Sequence, residues 1–128
     1  MSQLTAGIII IGDEILSGRT QDINANFIAK ELINIGIKLS EIKVIPDETN
    51  IIINTVKNYS KKYSYVFTTG GIGPTHDDIT SESISKAFNK KYVLNKKALK
   101  IMKDYYPKGK LNEGRKKMAM MPKNSKLI

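Results

Sequence analysis

The chain has 128 residues, of which 41% are hydrophobic and 26% are charged, proportions typical of one compact globular domain. It contains no cysteine, which excludes a disulfide framework and any cysteine-ligated zinc site and favours a reducing compartment. The formal net charge is +9, a basic balance that can indicate a nucleic acid, an acidic ligand or neither. We therefore expect a single cytoplasmic domain.

The basic residues are scattered through polar segments, for example at Lys61-Lys62 and Arg115-Lys116-Lys117, without the interleaved aromatic residues that stack on bases. Nucleic-acid binding is therefore the least favoured function. The apolar run from Gly7 to Ile11 is too short to cross a membrane and is followed by acidic residues, so we expect no membrane partner.

The first strand is predicted at Ala6 to Ile11, a continuous β-branched run typical of a strand covered on both faces. It ends at Gly12-Asp13-Glu14. A helix follows and is ended by Gly36. The apolar stripe of this helix, at helical spacing, is Phe27, Ile28, Leu32 and Ile35.

A second strand and helix repeat this order. Ile37 to Ile45 is rich in Ile and Val and is stopped by Pro46-Asp47, so it is predicted to be a strand. Glu48 to Tyr59 has apolar residues at helical spacing and is predicted to be a helix. By itself, Asp47 is an ordinary turn or cap residue in this interpretation.

The third strand, Tyr65 to Thr69, runs into a glycine-rich loop with Gly70, Gly71 and Gly73. Glycine lets the backbone turn sharply and approach a ligand closely. Thr80 is predicted to be the N-cap of the helix that follows. Backbone N–H groups at such a helix start favour an anion, so the loop indicates a phosphate-bearing ligand.

The alternation of strands and helices predicts a three-layer α/β/α fold with a mostly parallel sheet. In such a sheet the strand exits share one edge, where we expect residues 12–14, 46–47 and 70–78 to converge. In the last third, Ala98, Leu99, Met102 and Tyr106 predict an amphipathic helix ended by Pro107 and Gly109. Asn112 to Met120 is a second helical candidate, and Lys123 to Ile128 is a candidate strand. Met118, Met120 and Met121 are interpreted as packing or subunit-contact residues.

Two common nucleotide motifs are absent, because the loop has neither the Lys-Ser/Thr of a P-loop nor the dinucleotide spacing G-x-G-x-x-G. His76 is the only histidine, which excludes a histidine-rich metal site. The carboxylates around the glycine loop suit a hard cation such as Mg²⁺ that bridges to a phosphate. No serine, histidine and acid constellation indicates nucleophilic catalysis.

Residues 69–80 read Thr-Gly-Gly-Ile-Gly-Pro-Thr-His-Asp-Asp-Ile-Thr and resemble the signature of the molybdopterin-binding domain family, which has a MoaB/MogA-like fold. The segment 12–18, with Asn24 and Ala25 after it, is similar to the first motif of the family, and Pro46-Asp47 falls where its second strand ends. The double Asp77-Asp78 and the Gly-Asp-Glu form resemble the CinA branch, the competence/damage-inducible protein A family.

The resemblance implies a role for each matching residue. Asp78 and Asp47 would be catalytic and would hold Mg²⁺ or another divalent cation. The remaining positions would bind the ligand and its phosphate, with Asp13 and Glu14 orienting the ligand or the metal. These positions are Gly12, Asp13, Glu14, Asn24, Thr69, Gly70, Gly71, Gly73, Pro74, Thr75 and Thr80.

For the function, the resemblance implies a CinA-type, metal-dependent hydrolase of ADP-ribose-like pyrophosphates. The alternatives are molybdenum cofactor biosynthesis, by molybdopterin binding or adenylyl transfer, and a non-catalytic ligand-binding module. The family also implies a homo-oligomer. Family members continue past the Leu127-Ile128 position into a segment that helps close the pocket, so we interpret residues 1–128 as one domain shortened at its C-terminus.

Overall fold

The computed structural model describes residues 3–128. A parallel sheet at its centre is formed by β1 (Thr5–Ile11), β2 (Lys38–Ile45) and β3 (Tyr65–Thr69), in the order β2-β1-β3. The registers Ile8 to Ile42 and Ile8 to Phe67 place the ends of the three strands side by side. The predicted parallel sheet is thus confirmed.

Helices cover both faces of this sheet. On one face, Ile9 and Ile11 of β1 pack with Ile52 and Val56 of a long helix. On the other face, Ile8 and Ile10 pack with Ala25. The three-layer α/β/α prediction is confirmed, and the helices of these layers are α1 (Asp13–Leu16), α2 (Asn24–Asn34), α3 (Thr49–Lys62) and α4 (Thr80–Ala87).

Strand β1 is the centre of the core because it is buried on both faces. Ala6, Ile8, Ile9 and Ile11 are fully inaccessible to solvent. A strand with neighbours on both edges and helices on both faces leaves no side for polar residues, which is why its sequence is an unbroken apolar run. Burial of these isoleucines fixes the position of β1 and of the loop that follows it.

The C-terminal third forms a small lobe with its own two-stranded antiparallel sheet, β4 (Tyr92–Leu94) and β5 (Met120–Pro122). Helices α5 (Lys96–Tyr105) and α6 (Glu113–Lys117) connect the two strands. The predicted strand at 123–128 is wrong, since the strand lies at 120–122. The helix predicted from Asn112 to Met120 is correspondingly shorter and ends at Lys117. The lobe contacts α4 through Ser81, whose hydroxyl donates to the Met120 carbonyl oxygen at 3.2 Å.

Two details of the helix predictions are also wrong. Of the predicted apolar stripe, Leu32 is buried as expected, but Phe27 and Ile35 are 66% and 69% exposed. The other buried residue of α2 is Ala25, and Ile35 lies after the end of the helix. Thr80 is not an N-cap, since it is the first residue of α4 and its side chain makes no cap bond to the helix.

Among residues 3–128, we find no helix with the length and apolar character needed to cross a lipid bilayer.

Gly70 and Gly36 provide a matched test of the packing at the sheet edge. Both have a positive φ, 89° and 79°, but a Cβ at Gly70 would overlap the Ile11 carbonyl oxygen, whereas a Cβ at Gly36 would meet nothing within 4 Å. We expect Gly36→Ala to lower the free energy of unfolding by about 1 kcal/mol through backbone strain alone. Gly70→Ala should cost about 3 kcal/mol or more, because backbone must also move. Equal losses in chemical denaturation would contradict this packing.

Candidate active site

The exits of β1 and β2 are joined by a reciprocal pair of hydrogen bonds. The Asp13 amide donates to Asp47 Oδ2 at 3.0 Å, and the Asp47 amide donates to Asp13 Oδ1 at 3.2 Å. The Gly12 amide donates to the Ile45 carbonyl oxygen at 3.0 Å. Asp47 is therefore more than a turn residue, since its carboxylate fixes the neighbouring loop.

The glycine loop leaves β3 and is anchored to the first residue of α4. The Thr80 hydroxyl donates to the Gly70 carbonyl oxygen at 2.9 Å, and the Thr80 amide donates to the Gly71 carbonyl oxygen at 3.1 Å. Thr80 is only 1% exposed. Its role is thus to attach the glycine loop to the start of α4.

The glycines also keep the space around the carboxylates open. A Cβ at Gly71 would overlap the Thr80 hydroxyl and lie 3.4 Å from Asp47 Oδ1. A Cβ at Gly73 would lie 2.9 Å from Asp78 Oδ2. Any side chain at either position would therefore occupy the room next to a predicted site carboxylate.

Asp78 is held by the loop that it belongs to. Its Oδ2 accepts from the Thr75 amide at 3.0 Å and from the Thr75 hydroxyl at 2.8 Å. Partial burial raises the pKa of Asp78, but the Thr75 and Gly73 hydrogen bonds and the charge of Lys117 outweigh it, so the pKa lies below the ordinary value. Asp78 is thus an ionised carboxylate of fixed orientation.

Lys117, at the end of α6, holds the other side of the same turn. Its ammonium group donates to the Asp78 carbonyl oxygen at 2.6 Å and also to the Thr75 carbonyl oxygen. In the sequence, Lys117 is one of three consecutive basic residues and has no feature that separates it from solvated lysines. Sequence analysis missed it because its partners are about forty residues away in the chain.

Asp47 is the carboxylate whose charge is least favoured. Burial raises its pKa first, and the negative charges of Asp13, Glu14 and Asp78 raise it further, against the hydrogen bond from the Asp13 amide. A bound cation would relieve this repulsion. Within residues 3–128, however, no three or more His, Asp or Glu side chains are grouped as a metal centre.

Three cavities are lined by residues of these strand exits and of the loops that follow them. The first, which we call the loop cavity, has a volume of about 340 Å³. Its polar wall includes Asp78 and Lys117, and its apolar wall comes from the C-terminal lobe. The methionines interpreted as packing residues therefore line a cavity beside the glycine loop. The residues from the lobe and α4 are Ser81, Tyr92, Met118, Met120 and Met121.

The second, the acidic cavity, also measures about 340 Å³ and lies over the joined exits of β1 and β2. Its lining includes Asp77 and not Asp78. Asp77 is otherwise exposed and pairs with His76 at 3.3 Å. The adjacent aspartates therefore face different cavities, and the full lining of the acidic cavity is Asp13, Glu14, Arg19, Asp47, His76, Asp77 and Ile79.

The third cavity, about 370 Å³, lies at the start of α2 and contains Glu14, Asn24, Thr69 and Gly70 in its lining. Four predicted site residues line none of the three cavities, namely Gly12, Pro74, Thr75 and Thr80. Thr75 and Thr80 act through the hydrogen bonds described above. Gly12 is buried under the Glu14 side chain, and the Pro74 carbonyl oxygen lies against Gly114 of α6. Both support the site through the backbone.

Comparison with known proteins identifies similar chains. The profile of the family described as "Probable molybdopterin binding domain" matches residues 7–127. A CinA-like protein of Flavobacterium psychrophilum is 36% identical over 98% of this chain and 31% of its own length. The chain spans about half or less of the length of the curated relatives that it matches.

Solved structures give the same result. The protein CinA from Thermoplasma acidophilum is 32% identical, with a TM-score of 0.86 over 94% of this chain and 72% of that one. MoaB from Pyrococcus furiosus, described as a tungsten cofactor synthesizing protein, is 27% identical, with a TM-score of 0.62 over 82% of this chain and 64% of that one.

The burial of the Asp47 carboxylate and its repulsion by neighbouring carboxylates predict that Asp47→Asn stabilises the ligand-free protein. Asparagine retains an acceptor for the Asp13 amide but removes the charge, so the thermal midpoint at pH 7 should rise by about 2–5 °C. Since the pKa of Asp47 is raised in the folded state, the contribution of its carboxyl group to the free energy of unfolding falls as the pH rises above the ordinary value of 3.8. The gain should therefore shrink as pH is lowered towards that value.

The control is Asp77→Asn, whose carboxylate is 82% exposed and whose removal should leave the midpoint unchanged. Destabilisation by Asp47→Asn in the same thermal scans would show that the Asp13–Asp47 hydrogen bonds depend on the ionised form.

Proposed function

The chain belongs to the molybdopterin-binding domain family, in its CinA branch, and we propose that it binds a phosphorylated small molecule at the glycine loop and hydrolyses a pyrophosphate bond in an ADP-ribose-type substrate. The observation that carries this proposal is the arrangement of Gly71 and Gly73 beside Asp47 and Asp78. A backbone that approaches a phosphate closely and carboxylates that attract a cation are what such chemistry needs.

The two carboxylates fit a cation that arrives with its phosphate. Mg²⁺ is commonly held by one or two protein carboxylates together with substrate phosphates, and Asp47 and Asp78 supply such a pair without a complete protein cage. When bound, the ion would supply positive charge that withdraws electrons from the phosphorus atom. The raised pKa of Asp47 supports this assignment, because a bound cation would favour the charged form that burial and the neighbouring carboxylates disfavour.

The residues of the chain have separate tasks in this proposal. Gly70, Gly71 and Gly73 let the backbone cradle the phosphate, and Thr75 fixes the Asp78 carboxylate. Asp13 and Glu14 orient the ligand or the ion from the acidic cavity. A water oxygen attacks one phosphorus, the bridging P–O bond breaks, and ADP-ribose gives AMP and ribose 5-phosphate.

A second candidate is molybdenum cofactor chemistry, by molybdopterin binding or adenylyl transfer. The observation that favours it is the apolar wall of the loop cavity, where Tyr92 and Met118 lie beside the phosphate loop and would accommodate a flat ring. A third candidate is a module that binds such a ligand without turnover. Binding of ADP-ribose with MgCl₂ and no release of AMP would favour the module.

Asp78→Asn tests the hydrolase directly. Asparagine keeps an acceptor for Thr75, so the free energy of unfolding should change by about 1 kcal/mol or less. Magnesium-dependent hydrolysis of ADP-ribose should fall by about two orders of magnitude or more, because the negative charge that attracts the ion is lost. The measurement is AMP release by chromatography at saturating MgCl₂.

Asp77→Asn is the matched control, since Asp77 is the preceding residue but is exposed and lines the other cavity. It should be clearly milder than Asp78→Asn. The reverse order would assign the catalytic charge to Asp77, and unchanged turnover in both variants would remove the carboxylates from the mechanism.

We also propose that the chain is a homo-oligomer. An apolar groove of about 460 Å³ runs between α5 and β5, and Tyr105 and Ile101 at its rim are 78% and 61% exposed. Apolar surface of this kind is commonly covered by another subunit. Light scattering over a wide concentration range should give a mass above that of one chain, and Tyr105→Glu should lower it. A constant monomeric mass would contradict the proposal.

A further inference from the structure

We propose that Lys117 is a positioning residue that holds the turn 75–78 in the form in which Asp78 faces the ligand, an inference that rests on the proposed function of the glycine loop. This role of Lys117 would make the C-terminal lobe necessary for the geometry of the site. The lobe has its own two-stranded sheet and also contacts α4 through the Ser81 hydrogen bond.

The first step is the geometry of the contact. An ammonium group has three N–H donors, and Lys117 directs its ammonium to two backbone carbonyl oxygens, those of Thr75 and Asp78. The same turn is closed on its other side by the Thr75 hydrogen bonds to the Asp78 carboxylate. Lysine and carboxylate thus hold the two ends of one four-residue turn.

The second step is that the lysine itself is held in place. Asn112 caps α6, accepting from the Arg115 amide at 2.8 Å. Gly114 lies against the Pro74 carbonyl oxygen, where a Cβ would come within 3.2 Å. Ala119, two residues after Lys117, is fully buried. Helix α6 therefore lies against the loop at Pro74, and this contact restricts the position of Lys117.

The third step is the electrostatic consequence. Two carbonyl oxygens that point to one place make a locally negative turn, and the loop would have to place a phosphate close to it. Lys117 offsets this partial charge with a full positive charge, and charge-assisted hydrogen bonds are stronger than neutral ones. Lys117 also lines the loop cavity, so the same charge acts on whatever anion that cavity holds.

The test uses Lys117→Met, which keeps an aliphatic stem of similar length and removes the donors and the charge. Hydrogen exchange measured by mass spectrometry should show amides of residues 75–78 exchanging about tenfold faster or more, since two charged hydrogen bonds are lost. The kcat for ADP-ribose with MgCl₂ should fall about tenfold or more, with a smaller change in KM.

Two variants serve as controls. Lys117→Arg can donate to both carbonyl oxygens and should restore most of the exchange protection and of kcat. Lys116→Met removes the neighbouring lysine, which pairs with exposed Glu113 at 3.3 Å, and should resemble the wild type in both readouts.

Unchanged exchange at residues 75–78 in Lys117→Met would overturn the proposal, as would faster exchange with wild-type kcat. If the wild-type chain does not hydrolyse ADP-ribose at all, the proposed function fails separately. The exchange measurement, together with calorimetric binding of ADP-ribose, then decides the role of Lys117, with weaker binding in Lys117→Met expected and equal binding contradicting it.

Discussion

The structure depends on the close passage of the glycine loop between the end of β1 and the start of α4. Gly70 lies so near the Ile11 carbonyl that no side chain fits, and Gly71 lies equally close to the Thr80 hydroxyl. Two hydrogen bonds from buried Thr80 then lock the loop onto α4. Because β1 is the most buried strand, the loop takes its position from the core, which gives the site a rigid floor.

The charges at this edge oppose those of the whole chain. The net charge of +9 gives a general attraction for anions, yet the exits of β1 and β2 carry carboxylates close enough to raise the pKa of Asp47. A phosphate alone would meet that negative surface unfavourably, and a cation alone would find an incomplete ligand set. Arrival of the two together would satisfy both conditions, and the proposed function therefore has the metal ion bind with its phosphate.

The sequence predicts those parts of the structure that are determined by residues close together in the chain. The apolar run of β1 and the glycines after β3 follow from burial and backbone conformation, and each leaves a pattern within a few residues. Strand β4 has only three residues, too few for a periodic signal. The bond from Lys117 to the 75–78 turn and the exposure of Phe27 depend on which elements meet in space, and no pattern along the chain records that choice.

Asp77 and Asp78 show how adjacent residues divide one loop between two tasks. The Asp78 side chain turns back to Thr75 and lines the loop cavity, whereas Asp77 extends into the acidic cavity with Asp13 and Asp47. Gly71 lines the loop cavity and lies beside Asp47 of the acidic one. In the proposed function, its missing side chain leaves room where a phosphate at the glycine loop and a cation held by Asp47 and Asp78 would meet, so the proposal requires glycine there for chemistry as well as for the turn.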